Sequence, residues 1–179
     1  LSQQDGIPDH ELAFVPDQNG RYGNGMKLAE GYLGRLGYRL PTETEWEAAC
    51  RAGASTSRSY GDSEALLGHY AWYLANALDR SWPVGTKMPN QFGLFDMHGN
   101  VWEWCVNTLE AYPTDETASS HLAVDDGAAI ADGQSRALRG GSYFYHAIYT
   151  RSALRNQEPV DARYYGIGVR PVRTIRPSE

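Results

Sequence analysis

Val84-Gly85-Thr86-Lys87-Met88-Pro89-Asn90-Gln91-Phe92-Gly93-Leu94-Phe95-Asp96-Met97-His98-Gly99-Asn100-Val101-Trp102-Glu103-Trp104 is the stretch whose reading decides the fold. No helical period runs through it, and its Pro, Asn, Asp and Gly residues break it into turns and short strands. Asp96 and Glu103 are hard oxygen donors, and Gly99 between them lets the backbone turn sharply. A turn bounded by two carboxylates, with carbonyls between them, is the outline of a Ca²⁺ loop. Alone it is a weak pattern, because acidic residues beside glycine turns are usually just solvated.

Upstream of it, one helix is well marked. Arg39-Leu40-Pro41 leads into Thr42-Glu43-Thr44-Glu45, a capping box in which Thr42 and Glu45 satisfy each other's backbone N–H groups. The glutamates suit the positive end of the helix dipole. Trp46, Ala49 and Cys50 are spaced to share one face, and Gly53 stands where a glycine cap is expected. A weaker helix is predicted from Met26 to about Leu36, ended by Gly37, and a helical turn from Glu64 to about Leu67. Downstream, Thr108 to Ser135 is rich in Ala, Ser, Asp and Glu and reads as a surface insertion (108–135). Ala137-Leu138-Arg139 and Gly166 to Val172 read as strands. No repeat is visible. The whole, 1–179, reads as a single loop-rich α+β domain.

The chain has 179 residues, enough for one core, and a net charge of −6. That charge argues against a nucleic-acid partner, which would want clustered Lys and Arg. Arginines do crowd the C-terminal part: Arg139, Arg151, Arg155, Arg163, Arg170, Arg173 and Arg176. Internal pairing with the acidic residues is the expected use of them, ahead of an anion site. No apolar run is long enough for a membrane-spanning helix, so a membrane is not an expected partner. Nothing at the start reads as a signal peptide. Leu1-Ser2-Gln3-Gln4 looks like the tail of a helix, so a longer chain, truncated here at its N-terminal side, is expected, and the compartment stays open. The two cysteines, Cys50 and Cys105, are too few for a disulfide framework or a cysteine metal site, and their apolar contexts predict buried, inert thiols.

The 84–104 stretch resembles the core signature of the formylglycine-generating-enzyme (sulfatase-modifying factor) family, P-N-x-x-G-L-x-D-M-x-G-N-V-W-E-W. Arg39 to Glu47 is similar to that family's R-L-P-T-E-A-E-W-E helix start. Leu138-Arg139-Gly140-Gly141-Ser142 resembles its R-G-G-S strand. Arg151-Ser152-Ala153, Arg155 and Gly168-Val169-Arg170 resemble its closing R-S-A-x-R and G-F-R elements, with Val169 in place of Phe. The resemblance implies a C-type-lectin-like architecture. It also implies a structural Ca²⁺ on Asp96, the carbonyls of Gly99 and Val101, and Glu103. The family's other calcium site begins at the position of Asn76, but only Leu78 to Pro83 separate it from the next strand, so that site is not expected. Cys50 is expected to be a free thiol, since its partner position in cysteine-bearing relatives is Pro171 here.

The activity implied by the resemblance is oxidation of a protein cysteine to formylglycine on Cu(I) held by two cysteines. Soft thiolates select Cu(I). Those cysteine positions fall at Tyr145 and Thr150, so copper and its oxidase chemistry are not expected. Trp102, Ser142 and His146 match neighbours of the family's active site, although each has an ordinary structural role open to it. Nor is an iron site expected, because His10, His69, His98, His121 and His146 are scattered.

What replaces the copper site is aromatic. Tyr143, Phe144, Tyr145, His146, Ile148 and Tyr149 cluster in the chain, and Tyr164 and Tyr165 precede Gly166. Tyrosine on a rigid frame offers broad amphipathic contact at low entropic cost. A protein or small-molecule ligand is therefore the expected partner. Three roles follow. A binding module predicts exposed tyrosines around a concavity. A scaffold predicts them buried. An oxidase predicts a bound redox metal. The R-G-G-S frame is also similar to the one that carries randomised residues in variable proteins of diversity-generating retroelements. The residue types at 143–150 are all reachable by mutating adenines in an Asn codon.

Overall fold

The computed structural model describes residues 1–108 and 129–176. Strand β1 (Phe14–Val15) pairs antiparallel with β2 (Lys27–Leu28). Helix α1 (Glu43–Arg51) follows, then α2 (Leu67–Tyr70), β3 (Ala71–Trp72), β4 (His98–Gly99), β5 (Trp102–Trp104), β6 (Ser135–Arg139), β7 (Arg155–Pro159) and β8 (Ile167–Gly168). Strands β3 and β4 pair parallel. The remaining four form one mixed sheet in the order β7-β6-β5-β8, with β5 and β8 parallel.

Helix α1 begins as its sequence dictates. Thr42 Oγ1 accepts from Glu45 N at 3.1 Å, and Glu45 Oε2 accepts from Thr42 N at 2.8 Å. Arg39 Nη1 and Nη2 donate to the same Glu45 carboxylate, both at 2.7 Å. The left-handed residue that ends the helix is Ala52 rather than Gly53, with Gly53 also at positive φ immediately after it. Trp46 and Cys50 go into the core with Met97, Cys105 and Ala137, and Ala49 packs against them. A second cluster, Ala13, Leu28, Ala29, Tyr32 and Val106, lies behind the β1–β2 pair.

The helix predicted from Met26 to Leu36 is not there. Gly25 N donates to Ile130 O and Ile130 N to Met26 O, which draws this segment into strand-like pairing. Gly31 then takes φ 62°, and only a short 3₁₀ turn, Tyr32–Gly34, remains. The turn predicted at 64–67 runs on: a 3₁₀ turn, Glu64–Leu66, leads into α2. The strand predicted over 166–172 is shorter, β8 plus an isolated bridge between Val172 and Arg39. Most of the surface insertion predicted over 108–135 lies outside the described residues. Its last residues, from Ala129, are tied down by the bridge to Lys27 and by β6.

Five of the seven C-terminal arginines are paired internally. Arg139 meets Glu47 and Glu43, Arg155 meets Glu43, Arg170 meets Glu103, Arg173 meets Asp5 and Arg176 meets Glu11. Both cysteines are free and buried. Among the described residues, no helix is long and apolar enough to cross a membrane.

Candidate functional site

One face of the four-stranded sheet supplies the frame, with residues of β5, β6, β7 and β8 all lining it. Gly140 and Gly141, at φ 98° and 80°, turn the chain out of β6. At Gly141 a side chain would collide with the backbone, its Cβ falling 2.7 Å from Tyr149 O. The turn is fixed by Tyr145 N donating to Ser142 O at 3.0 Å and Tyr143 N to Asn100 O at 2.9 Å. A 3₁₀ turn, Ala147–Thr150, follows, with His146 exposed at its N-terminal side.

Tyr143, Phe144 and Tyr145 from this turn, and Tyr164 and Tyr165 from the approach to β8, line one cavity of about 410 Å³. The remaining wall comes from Trp102, Leu138, Asn156, Glu158, Arg163, Gly166 and Ile167. Tyr145 meets Trp102 edge-on at 5.6 Å, and Tyr143 meets Phe144 edge-on at 5.0 Å. The rings are not packed away: Tyr165 is 96% and Tyr164 58% exposed, and Phe144 is exposed too. His146, Ile148 and Tyr149 do not line the cavity; all three are exposed, and the Tyr149 ring lies 5.1 Å from that of Tyr145. Both aromatic segments read from the sequence therefore converge. Asn156, Glu158 and Ile167 carry no local signal in the sequence, because only strand order brings them here. Arg163 has one, its place directly before Tyr164.

The positions 145 and 150 differ in character. Thr150 is buried, and its hydroxyl accepts from Arg58 Nε at 3.2 Å and donates to Ala147 O at 2.8 Å. Neither thiol lines the aromatic cavity. Burial pushes the Cys50 thiol up to about 12 and raises Cys105 as well, so neither offers a thiolate at neutral pH. Among the described residues, no group of three or more His, Cys, Asp or Glu side chains could hold a metal.

The carboxylate loop lies on the other side of β5. Asp96, at φ 58°, is buried. Its Oδ2 accepts from Gly85 N at 2.7 Å, while its Oδ1 is buried with no hydrogen-bond partner. A buried anionic oxygen of that kind suits a hard cation. Glu103 fits less well. Arg170 and Trp46 already donate to it, and Arg170 balances its charge. Burial is the main effect on this carboxyl and raises its pKa, with Arg170 opposing. The Asn76 side chain is spent on its own turn, accepting from Tyr73 N and donating to Ala71 O.

Two further clusters lie outside the cavity lining. His98 is buried, its Nδ1 2.8 Å from Thr150 O. Ser59 N donates to its Nε2 at 3.2 Å, which fixes a neutral ring. Burial lowers its pKa to about 4. The Trp72 and Trp82 rings stack at 4.4 Å, with Arg80 over Trp82 and Lys87 over Trp72.

The profile of the sulfatase-modifying factor enzyme 1-like domain matches residues 16–175. The chain is 36% identical over 164 residues to the formylglycine-generating enzyme of Mycobacterium tuberculosis, covering 80% of this chain and 54% of that one. It is 33% identical over 182 residues to the formylglycine-generating enzyme of Streptomyces coelicolor, covering 92% of this chain and 53% of that one. The chain thus spans about half the length of the curated relatives it matches. Among solved structures, Treponema denticola variable protein 1 superposes with a TM-score of 0.76 at 27% identity, over 95% of this chain and 64% of that one.

Proposed function

The chain belongs to the family of sulfatase-modifying factor enzyme 1-like domains, and from that premise we propose that it is a non-catalytic binding module that takes a protein or small-molecule ligand on the aromatic surface at 143–149 and 164–165. The observation that carries this is the convergence of Tyr143, Phe144, Tyr145, Tyr164 and Tyr165 on one cavity while their rings stay at least partly open to solvent. A scaffold would bury those rings. An oxidase of the kind named among the relatives would need soft ligands, and the positions matching the family's cysteines hold Tyr145 and Thr150. The loop of Asp96, Gly99, Val101 and Glu103 is assigned a structural Ca²⁺, supported by the unpartnered Asp96 Oδ1.

The test is turnover of a cysteine-containing sulfatase-type peptide by the full-length protein, supplied with Cu(I) and O₂ and followed by mass spectrometry. The Mycobacterium tuberculosis enzyme serves as the working control. Formylglycine above a metal-free blank would sink the non-catalytic role. No conversion, with ligand capture that is lost in Tyr164→Ala and Tyr165→Ala, supports it.

A second role is favoured by the similarity to Treponema denticola variable protein 1. In it, 143–150 would be the diversified surface of a retroelement-encoded variable protein. Sequencing the gene and its surroundings decides: a near-copy repeat that carries adenines where the codons of 143–150 differ from it is required.

A further inference from the structure

Two buried hydrogen-bonding groups, one on the wall of the aromatic cavity and one behind that wall, have no hydrogen-bond partner. Trp102 lines the cavity, is 2% exposed, and its Nε1–H meets no acceptor. Ser142 is 0% exposed, and its Oγ is also unpartnered. The Ser142 hydroxyl lies just behind that wall, against two lining residues: a Cβ on Gly166 would fall 2.7 Å from that oxygen and 2.2 Å from Phe144 Cε1. Buried donors are nearly always paired. An indole N–H can only donate. Two such groups together therefore specify what an occupant must present, namely an acceptor oxygen.

The charge of that acceptor follows from the lining. Around Trp102 the wall is Leu138, Gly166, Ile167 and the rings. The two charged lining residues, Glu158 and Arg163, have opposite signs, and Arg163 is exposed. An ionised carboxylate drawn in to Trp102 would lose its water without a buried cation beside it, which is costly. A neutral carbonyl avoids that cost. The cavity, at about 410 Å³, lies within the range of small-ligand sites, and its rings suit a flat or apolar body.

We infer that the cavity binds a neutral carboxamide whose carbonyl oxygen accepts from Trp102 Nε1 and Ser142 Oγ while the attached apolar group lies against Tyr143, Phe144 and Tyr145. This rests on the binding role proposed above and adds its chemical class. The amide can belong to a small molecule or to a peptide.

The experiment titrates uniformly ¹⁵N-labelled protein, read at the Trp102 indole N–H and at the backbone amides of Tyr143 and Ile167, with benzamide, N-acetylphenylalaninamide, benzoate and toluene. It is repeated on Trp102→Phe, which keeps a ring and removes the donor, and on Ser142→Ala. An amide is expected to move the Trp102 indole N–H resonance downfield and to weaken about tenfold in Trp102→Phe, the value of one hydrogen bond. Toluene binding should not change between the variants. Ser142→Ala should weaken the amide in the same direction, which guards against a folding defect in the tryptophan variant. The tighter of the two amides identifies the source. If toluene or benzoate binds as tightly as the amides, or both variants leave amide binding unchanged, the inference fails and the binding role stands. If no probe binds, both fall.

Discussion

Arg170 grips Glu103 at two points, with Nε 2.7 Å from Oε2 and Nη2 2.7 Å from Oε1, while Trp46 Nε1 donates to Oε2 at 2.7 Å. The carboxylate is buried between the helix and the sheet, so this pair ties α1, β5 and the segment after β8 together. Removing one member strands the other as a buried, unbalanced charge. Arg170→Ala should cost about 3 kcal/mol or more, read from urea unfolding. An unchanged midpoint would mean that water replaces the guanidinium without loss.

His98 makes stability depend on acid. Its folded pKa is about 4 against an ordinary 6.5, chiefly through burial. Below 6.5 the unfolded chain takes up a proton that the folded chain refuses. The contribution of the neutral ring is therefore complete above pH 6.5 and is lost as pH falls towards 4. That loss is about 3 kcal/mol. Unfolding free energy measured between pH 7 and 4 should fall, and in His98→Gln the fall should be smaller over the same window.

Calcium should stabilise the fold through Asp96. At saturating Ca²⁺, about 100 times Kd, the melting temperature should rise by roughly 5–10 °C. Asp96→Gly accepts the left-handed backbone at this position and removes both oxygens. Its melting temperature should ignore Ca²⁺. A wild-type protein equally indifferent to Ca²⁺ and EDTA would remove the assignment.

Two glycines should respond differently to alanine. A Cβ on Gly99 would fall 2.2 Å from the carbonyl oxygen of Trp72, with φ already at 87°. Backbone cannot step aside there, so Gly99→Ala should cost several kcal/mol, on the order of 3 or more. At Gly166 the nearest atom is the edge of the Phe144 ring, at 2.2 Å. That ring can swing into the cavity. Gly166→Ala should therefore fold with a smaller penalty but lose amide binding, measurable by the same indole N–H titration.

What was legible in the sequence was chemistry between near neighbours or carried by charge. The capping box needs only Thr42 and Glu45, three residues apart, and it forms as written. The arginines find carboxylates because an acidic chain offers them. The two aromatic segments were visible as composition, although their meeting was not. That meeting depends on β5 lying between β6 and β8, an order that no local pattern encodes. The failed helix at 26–36 has the same origin: Gly25 and Met26 are held by Ile130, more than a hundred residues away. Glu103 looked like a free ligand in the sequence because its partner, Arg170, lies beyond every local window.

The parallel pairing of β8 with β5 also orders events in time. On the ribosome β5 is made long before β8, and until β8 arrives it lacks one neighbour and Glu103 lacks its counter-charge. Val172 then reaches Arg39, Arg173 reaches Asp5 and Arg176 reaches Glu11, so a later-made segment fastens an earlier-made one. Until that happens the β5 side of the sheet is an open edge, the kind of surface on which other strands can pair.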